Sequence, residues 1–217
     1  MIVSAAMSID GYLDDVSPKR LMLSNAADFD RVDAVRAGVD AIAVGAGTVR
    51  ADDPRLLVRS PERRDARVEA GKAPSPLRVV LSPSGDLDPD ARLFAGEGGP
   101  VVVYTSERGK EACDLAPGAA EVVALGDTLE LGDALRDLAG RGVERLLVEG
   151  GGTIHTLFFA GDLVDEAHLT VAPFLLGGAG GPKFVHAAAF PQSPARPLRL
   201  VETRALGEVA LLVYRRD

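Results

Sequence analysis

The chain has 217 residues, 47% of them hydrophobic, and 24 Lys and Arg against 32 Asp and Glu give it a net charge of −8. A chain of this size buries an adequate core without disulfides or a structural metal, and its single cysteine, Cys113, excludes an internal disulfide and any multi-cysteine metal centre. The acidic balance argues against a nucleic-acid partner, because neutralising phosphates needs a basic surface.

A first strand is expected over Ile2–Ala6, followed by a polar loop through Lys19. Ser24 is a good N-cap for a helix that ends near Arg36, with Gly38 as its stop. Ala41–Val44 is a short continuous apolar run, the kind found in a strand buried on both faces. It leads into the most informative stretch, Gly45-Ala46-Gly47-Thr48-Val49-Arg50-Ala51-Asp52-Asp53-Pro54, which runs on to Leu56 and Arg59. Glycines at a strand end let a ligand approach the backbone and turn N–H groups toward phosphate oxygens, while the adjoining Asp and Arg residues offer proton handling and a grip on a second anion. The dinucleotide fingerprint G-x-G-x-x-G is disfavoured. Arg50 stands where its last glycine belongs, and Pro54 predicts an extended or turn conformation at Asp53 in place of a helix opening after the turn.

Ser60–Pro76 is rich in Pro, Arg, Glu and Gly and reads as a surface excursion. Strands resume at Leu77–Ser82, Val101–Thr105 and Glu121–Leu125; a helix covers Leu129–Ala139, and Arg145–Glu149 is a strand. There Glu149 meets a second glycine cluster, Gly150-Gly151-Gly152-Thr153. The following residues have helical apolar spacing as far as Gly161, and amides at that helix's N-terminus suit a pyrophosphate. Either glycine run alone reads equally well as a tight turn, but two of them, each at a strand's C-terminal end beside a carboxylate, favour a ligand site. Asp165–Val171 is a strand, Pro173–Pro197 a loop, and Leu198–Thr203 and Glu208–Arg215 form a hairpin around Leu206-Gly207. This alternation predicts an α/β fold: a mixed, mostly parallel sheet flanked by helices, with a C-terminal antiparallel hairpin at its edge, all within a single domain over 1–217. Apolar residues in the late loop and the edge hairpin point to a homodimer. No basic segment precedes an apolar stretch at the start and no long apolar span follows, so a cytoplasmic protein with no membrane partner is expected. His155, His168 and His186 share no ligand spacing and read as structural or surface residues.

The order of motifs resembles the reductase half of the bifunctional riboflavin-biosynthesis deaminase/reductase, a relative of dihydrofolate reductase in fold. The likeness rests on Met7-Ser8-Ile9-Asp10-Gly11, on Val35–Ile42, on the specific Gly45–Pro54 run, on Leu77–Ser82, Leu147–Gly151 and Leu163–Glu166, and on Ala172–Gly178. It implies a dihydrofolate-reductase-like sheet, NADPH as cofactor, no metal, a homodimer, and a phosphorylated ribosylamino-pyrimidine as substrate, its sugar reduced to the ribityl form. The H-x-E and C-x-x-C elements of a zinc deaminase are missing, which marks a stand-alone reductase.

By that resemblance Gly47, Thr48, Asp52, Ser82, Gly150, Gly151, Gly152 and Thr153 align with cofactor contacts, and Arg36, Leu56, Arg59 and Glu149 with substrate contacts. Asp52 and Glu149 are the candidate catalytic carboxylates. Plainer roles stand beside these: Arg36 as a cation complementing a helix C-terminus, Glu149 as a cap for the next loop, Ser82 as a turn residue. Tyr12 replaces the Lys or Arg common in the family, and Met22 a frequent tryptophan. Two other readings remain, a dihydrofolate-reductase-like enzyme acting on a pterin or another imine, and a non-catalytic NADP-binding protein. Asp52, Arg59 and Glu149 beside the glycines argue against the second, and paired Arg36 and Arg59 favour a phosphorylated substrate over a pterin.

Overall fold

In a computed structural model the apolar runs and their intervening segments become β1 (Ile2–Ser8), α1 (Ala26–Ala37), β2 (Ala41–Gly45), α2 (Ala46–Asp52), α3 (Pro61–Glu69), β3 (Leu77–Leu81) and β4 (Val101–Thr105). They continue with α4 (Glu107–Ala112), β5 (Glu121–Ala124), α5 (Leu131–Gly140), β6 (Leu146–Val148), α6 (Gly152–Ala160), β7 (Glu166–Ala172), β8 (Arg199–Leu206) and β9 (Val209–Arg215). The structure describes residues 1–17, 21–96, 98–178 and 180–217; the expected end of the first loop at Lys19 lies outside them. The strands are those of a mixed, mostly parallel sheet with flanking helices and antiparallel strands at the C-terminal end.

The chain divides into two compact units, Asp33–Leu147 and Met1–Val32 with Val148–Asp217. In the first, strands run parallel in the order β5-β4-β3-β2. Their register sets Val44 opposite Val80, Val80 opposite Val103 and Val103 opposite Val122. Every residue of β2 and β4 is buried, which is why both read as unbroken apolar runs: a parallel strand covered on both faces has no polar side to show. In the second unit β1 pairs parallel with β7, while β9 lies antiparallel between β7 and β8. The β8–β9 turn puts Gly207 at φ 60, a left-handed conformation that glycine adopts without strain. β8 is the outer strand there, and its residues are mostly exposed.

Four local features depart from the sequence reading. Asn25, not Ser24, caps α1: its side-chain oxygen accepts the Asp28 N–H at 3.1 Å, while the Ser24 hydroxyl donates to the Asp28 carboxylate. A helix does open directly after β2. The proline rule acts only on Asp53, which closes α2 in a left-handed conformation, φ 41 and ψ 57, that Asp tolerates better than most residues. The supposed excursion after Ser60 contains α3, whose start was legible: Ser60 accepts the Arg63 N–H at 3.2 Å and Pro61 occupies the first turn. What anchors α3 was not legible. Arg67, 6% exposed, reaches inward to donate to the carbonyls of Ala73, Ala37 and Val39 at 2.8–2.9 Å. Finally Ser106 starts the short α4, accepting the Gly109 N–H at 3.0 Å.

Candidate active site

Within the Asp33–Leu147 unit, the residues between α2 and α3 form neither helix nor strand, so their backbone groups must find partners among side chains. They do. The Leu57 carbonyl accepts from Arg36 Nη1 at 3.0 Å, the Val58 N–H donates to Ser75 Oγ at 3.1 Å, and the Val58 and Arg59 carbonyls accept from Arg64 at 3.4 and 3.3 Å. The Arg59 and Ser60 N–H groups both donate to the Asp33 carboxylate. Leu56, 3% exposed, holds a left-handed φ of 54, a costly conformation for a branched residue that persists because its surroundings fix it. Of the expected substrate residues, Leu56 and Arg59 therefore lie on one stiff segment, with Arg59 at its exposed side, and Arg36 holds that segment from α1.

Along α2 the candidates separate by role. Gly45 is the N-cap with no side-chain cap, Gly47 is exposed with nothing within 4 Å of where a Cβ would stand, and Thr48 and Asp52 are half-buried. The adjacent carboxylates are not equivalent. Asp53 is spent on structure, its oxygens accepting from the Arg92 N–H at 2.7 Å and the Arg92 guanidinium at 2.9 Å. Asp52 is the one the family resemblance aligns with a cofactor contact. Gly45 pairs with Leu81 across β2 and β3, which places Ser82 beside the start of α2. Ser82 is fully buried, and its hydroxyl has no hydrogen-bond partner among the described residues.

In the other unit Glu149 is half-buried directly after β6, and Gly151 is the N-cap of α6. No side chain caps that helix, and Thr153 is exposed in its first turn. Gly152 is buried for a reason unrelated to a ligand: a Cβ there would stand 2.1 Å from the Lys183 carbonyl oxygen. A strap of chain around Pro182–His186 lies against α6, where the His186 N–H donates to Thr156 Oγ1 at 2.8 Å and Thr156 Oγ1 donates to the Gly152 carbonyl at 2.6 Å. The strap also joins the first loop, through Leu13 N–H to Pro182 O and Phe184 N–H to Gly11 O, and Lys183 Nζ sits 5.2 Å from the Tyr12 ring centroid. Asp10 ties the same loop further: it accepts from the Ser8 hydroxyl and the Leu176 and Gly177 N–H groups, and these bonds, the Ser8 one foremost, hold its pKa down at about 2.

His155 fastens the strap from below. It is fully buried, and its Nδ1 lies 3.1 Å from the Phe184 carbonyl oxygen; a carbonyl only accepts, so Nδ1 carries a proton, while the buried Nε2 has no partner among the described residues that would hold a second one. Burial pushes its pKa down to about 4, outweighing the opposite pull of that carbonyl. The unfolded chain binds this proton from about pH 6.5 downward and the folded chain only near 4, so stability is full above 6.5 and falls by about 3 kcal/mol as pH drops to 4. His155→Asn keeps a donor for Phe184 and removes the titration. Urea midpoints measured across that pH range are expected to fall less steeply in the variant, which keeps the slope of His168, also depressed by burial, and, toward pH 4, that of carboxylates held low in the fold such as Asp33 and Glu166. An unaltered slope contradicts a neutral buried His155.

Among the described residues no three His, Cys, Asp or Glu side chains gather as a metal centre requires, and no helix is long and apolar enough to cross a membrane. Each unit offers features of its own: one has a strand-to-helix turn whose helix, α6, lacks a side-chain cap, a place where backbone amides suit phosphate oxygens, and the other has the open Gly47 position on α2 and the orphaned Ser82 hydroxyl.

The chain belongs to the family of the RibD C-terminal domain, whose model matches residues 1–212. The 2,5-diamino-6-ribosylamino-4(3H)-pyrimidinone 5′-phosphate reductase of Archaeoglobus fulgidus is 37% identical over 209 residues, 96% of this chain and 94% of that protein. Its namesake from Methanothermobacter thermautotrophicus is 34% identical over 217 residues, 99% and 96% of the two chains. Among solved structures, a diaminohydroxyphosphoribosylaminopyrimidine deaminase/5-amino-6-(5-phosphoribosylamino)uracil reductase from Thermotoga maritima superposes with a TM-score of 0.79 at 27% identity. All of this chain is covered there, and it spans 56% of that longer one. The protein is thus an oxidoreductase, of a family that works with a nicotinamide cofactor.

Proposed function

We propose that the protein reduces the ribosyl group of 2,5-diamino-6-ribosylamino-4(3H)-pyrimidinone 5′-phosphate to the ribityl group with NADPH, as a step of riboflavin biosynthesis. Residues 1–217 act as one reductase domain, in the cytoplasm. The observation that carries this reading is the side-chain-pinned segment Leu56–Ser60: an irregular stretch held this firmly, with Arg59 exposed at the surface, suits recognition of a substrate phosphate. Stand-alone relatives matched over nearly their whole length favour the diamino compound over its deaminated counterpart.

Bound NADPH supplies a hydride, and the family's carbon acceptor is C1 of the sugar in its opened, imine form. The chain's own work is then positional. Arg36 and Arg59 hold the 5′-phosphate, Leu56 packs on the substrate, and Glu149 accepts hydrogen bonds from pyrimidine amino groups. Gly47, Thr48, Ser82 and Gly150–Thr153 hold the cofactor by amide and hydroxyl groups. Opening the sugar moves a proton from the exocyclic nitrogen to the ring oxygen, and reduction returns one proton to that nitrogen, so the balance needs a group that passes protons. Asp52 and Glu149 are assigned that role. Fixing hydride donor and acceptor in contact and excluding water supplies the rate, with no metal or covalent step.

Purified protein mixed with NADPH and either pyrimidine, followed by cofactor absorbance, tests the assignment. Consumption is expected with the diamino substrate and at least about tenfold less efficiently with NADH, a difference of ~1.4 kcal/mol. Turnover of a dihydropterin and of neither pyrimidine selects the dihydrofolate-reductase-like alternative, and binding of NADPH without any turnover selects the non-catalytic one.

A homodimer belongs to the same proposal. Outer strand β8 leaves its edge unpaired within its unit and carries Leu200 47% exposed, a combination that soluble proteins usually cover. Light scattering at micromolar concentration is expected to give the mass of two chains; the mass of one contradicts the dimer.

A further inference from the structure

We infer that Asp33 is a positioning residue for substrate binding, its nearly buried carboxylate setting the backbone at Arg59 and Ser60 so that Arg59 presents its guanidinium to the substrate phosphate; this rests on the reading of Arg59 given above. Asp33 is 4% exposed, and a carboxylate so placed is tolerated only when its oxygens are fully engaged. Three donors meet it. The Arg59 N–H bonds Oδ1, the Ser60 N–H reaches Oδ2 at 3.1 Å, and Arg63 Nη1 reaches the same oxygen at 2.9 Å. Burial alone would raise its pKa, but these bonds together outweigh burial and hold it below the ordinary carboxylate range, so it is ionised at neutral pH.

Neither N–H belongs to a helix or strand ladder, so the carboxylate is what fixes the direction of the chain there. Three residues further along α1, on the same face, Arg36 takes the Leu57 carbonyl at 3.0 Å. One helix face therefore grips both ends of the Leu57–Ser60 segment. Pairing with Arg63 has a second consequence. A lone carboxylate beside Arg59 would repel an incoming phosphate, whereas one neutralised by its own arginine does not.

The test is a double-mutant cycle of Asp33→Asn and Arg59→Ala, read by steady-state kinetics and by competition with inorganic phosphate. Asp33→Asn keeps the shape but sets an amide N–H against a backbone N–H. A substrate KM raised by about ten- to a hundredfold is expected, the scale of a misplaced binding group, with kcat at saturating substrate and NADPH affinity within about twofold of the parent. Phosphate competition should weaken by the same factor. In the Arg59→Ala background Asp33→Asn should change KM by less than about twofold, because the group it positions is gone. If Asp33→Asn does not accumulate folded, Asp33→Ser, which keeps an accepting hydroxyl, is judged by the same criteria. An unchanged KM, a KM effect of equal size in both backgrounds, or a parallel loss of NADPH affinity overturns the inference. Should Arg59→Ala itself leave KM and phosphate competition unchanged, the assignment of Arg59 fails and this inference with it; an effective Arg59→Ala beside a silent Asp33→Asn removes the inference alone.

Discussion

Arg59→Ala is expected to lower kcat/KM for the phosphorylated pyrimidine by about 2–4 kcal/mol, roughly thirty- to nine-hundredfold, the scale for losing a charge-assisted pair in a partly dry site. NADPH affinity should hold. Arg59 is well suited to such a clean effect because its backbone is fixed by groups other than its own guanidinium, with the N–H on Asp33 and the carbonyl on Arg64. Truncating the side chain leaves both of these backbone bonds available and deletes the cation. Arg59→Lys should recover only part of the loss, since an ammonium cannot reproduce the two-pronged guanidinium contact. Inorganic phosphate and ribose 5-phosphate should compete with substrate in the parent and not in Arg59→Ala. If the variant instead loses NADPH binding while substrate kinetics at saturating cofactor stay normal, Arg59 belongs to the nucleotide.

The two glycine loops call for opposite outcomes. Gly152→Ala places a methyl group 2.1 Å from the backbone oxygen of Lys183 and near His186, and neither the strap nor α6 moves freely. A loss of about 3 kcal/mol in unfolding free energy is expected, the upper part of the overpacking range, measured by urea denaturation without any ligand present. In Gly47→Val the added Cβ meets nothing within 4 Å on an exposed position and a poor helix former inside α2 is replaced, so stability should stay within about 0.5 kcal/mol of the parent. NADPH affinity should fall at least about tenfold, because the space the new side chain enters is assigned to the cofactor. A Gly47→Val protein that binds NADPH normally removes the α2 loop from the cofactor site. A Gly152→Ala protein as stable as the parent contradicts the packing of the strap.

How much of this was legible in the sequence depends on the range of the force responsible. β2 and β4 were readable because burial on both faces leaves an unbroken apolar signature within five residues. The Gly45–Pro54 run was readable for a similar reason, all its groups being local. The same chemistry misled at α2. Proline after Asp53 constrains one residue, and the helix before it forms regardless, closing on a left-handed Asp53. The family resemblance chose Asp52, but what occupies its twin came only from the fold, since Arg92, the partner of Asp53, stands thirty-nine residues away. Asp33 carries no motif at all. Its partners lie twenty-six to thirty residues downstream in a stretch whose composition suggested a surface excursion, so nothing near Asp33 in the chain betrays its role. Gly152 illustrates the converse, a residue inside a ligand-like motif whose glycine is required by the chain's own strap.

The central claim is that a hydride passes from NADPH to the sugar carbon of a ribosylamino-pyrimidine phosphate. Turnover with NADPH carrying deuterium at the transferable nicotinamide position, followed by mass spectrometry and proton NMR of the product, tests it most directly. The account predicts one deuterium per product molecule, located on the ribityl C1 methylene. Deuterium on the pyrimidine ring, or cofactor consumption that leaves the product unlabelled, contradicts it.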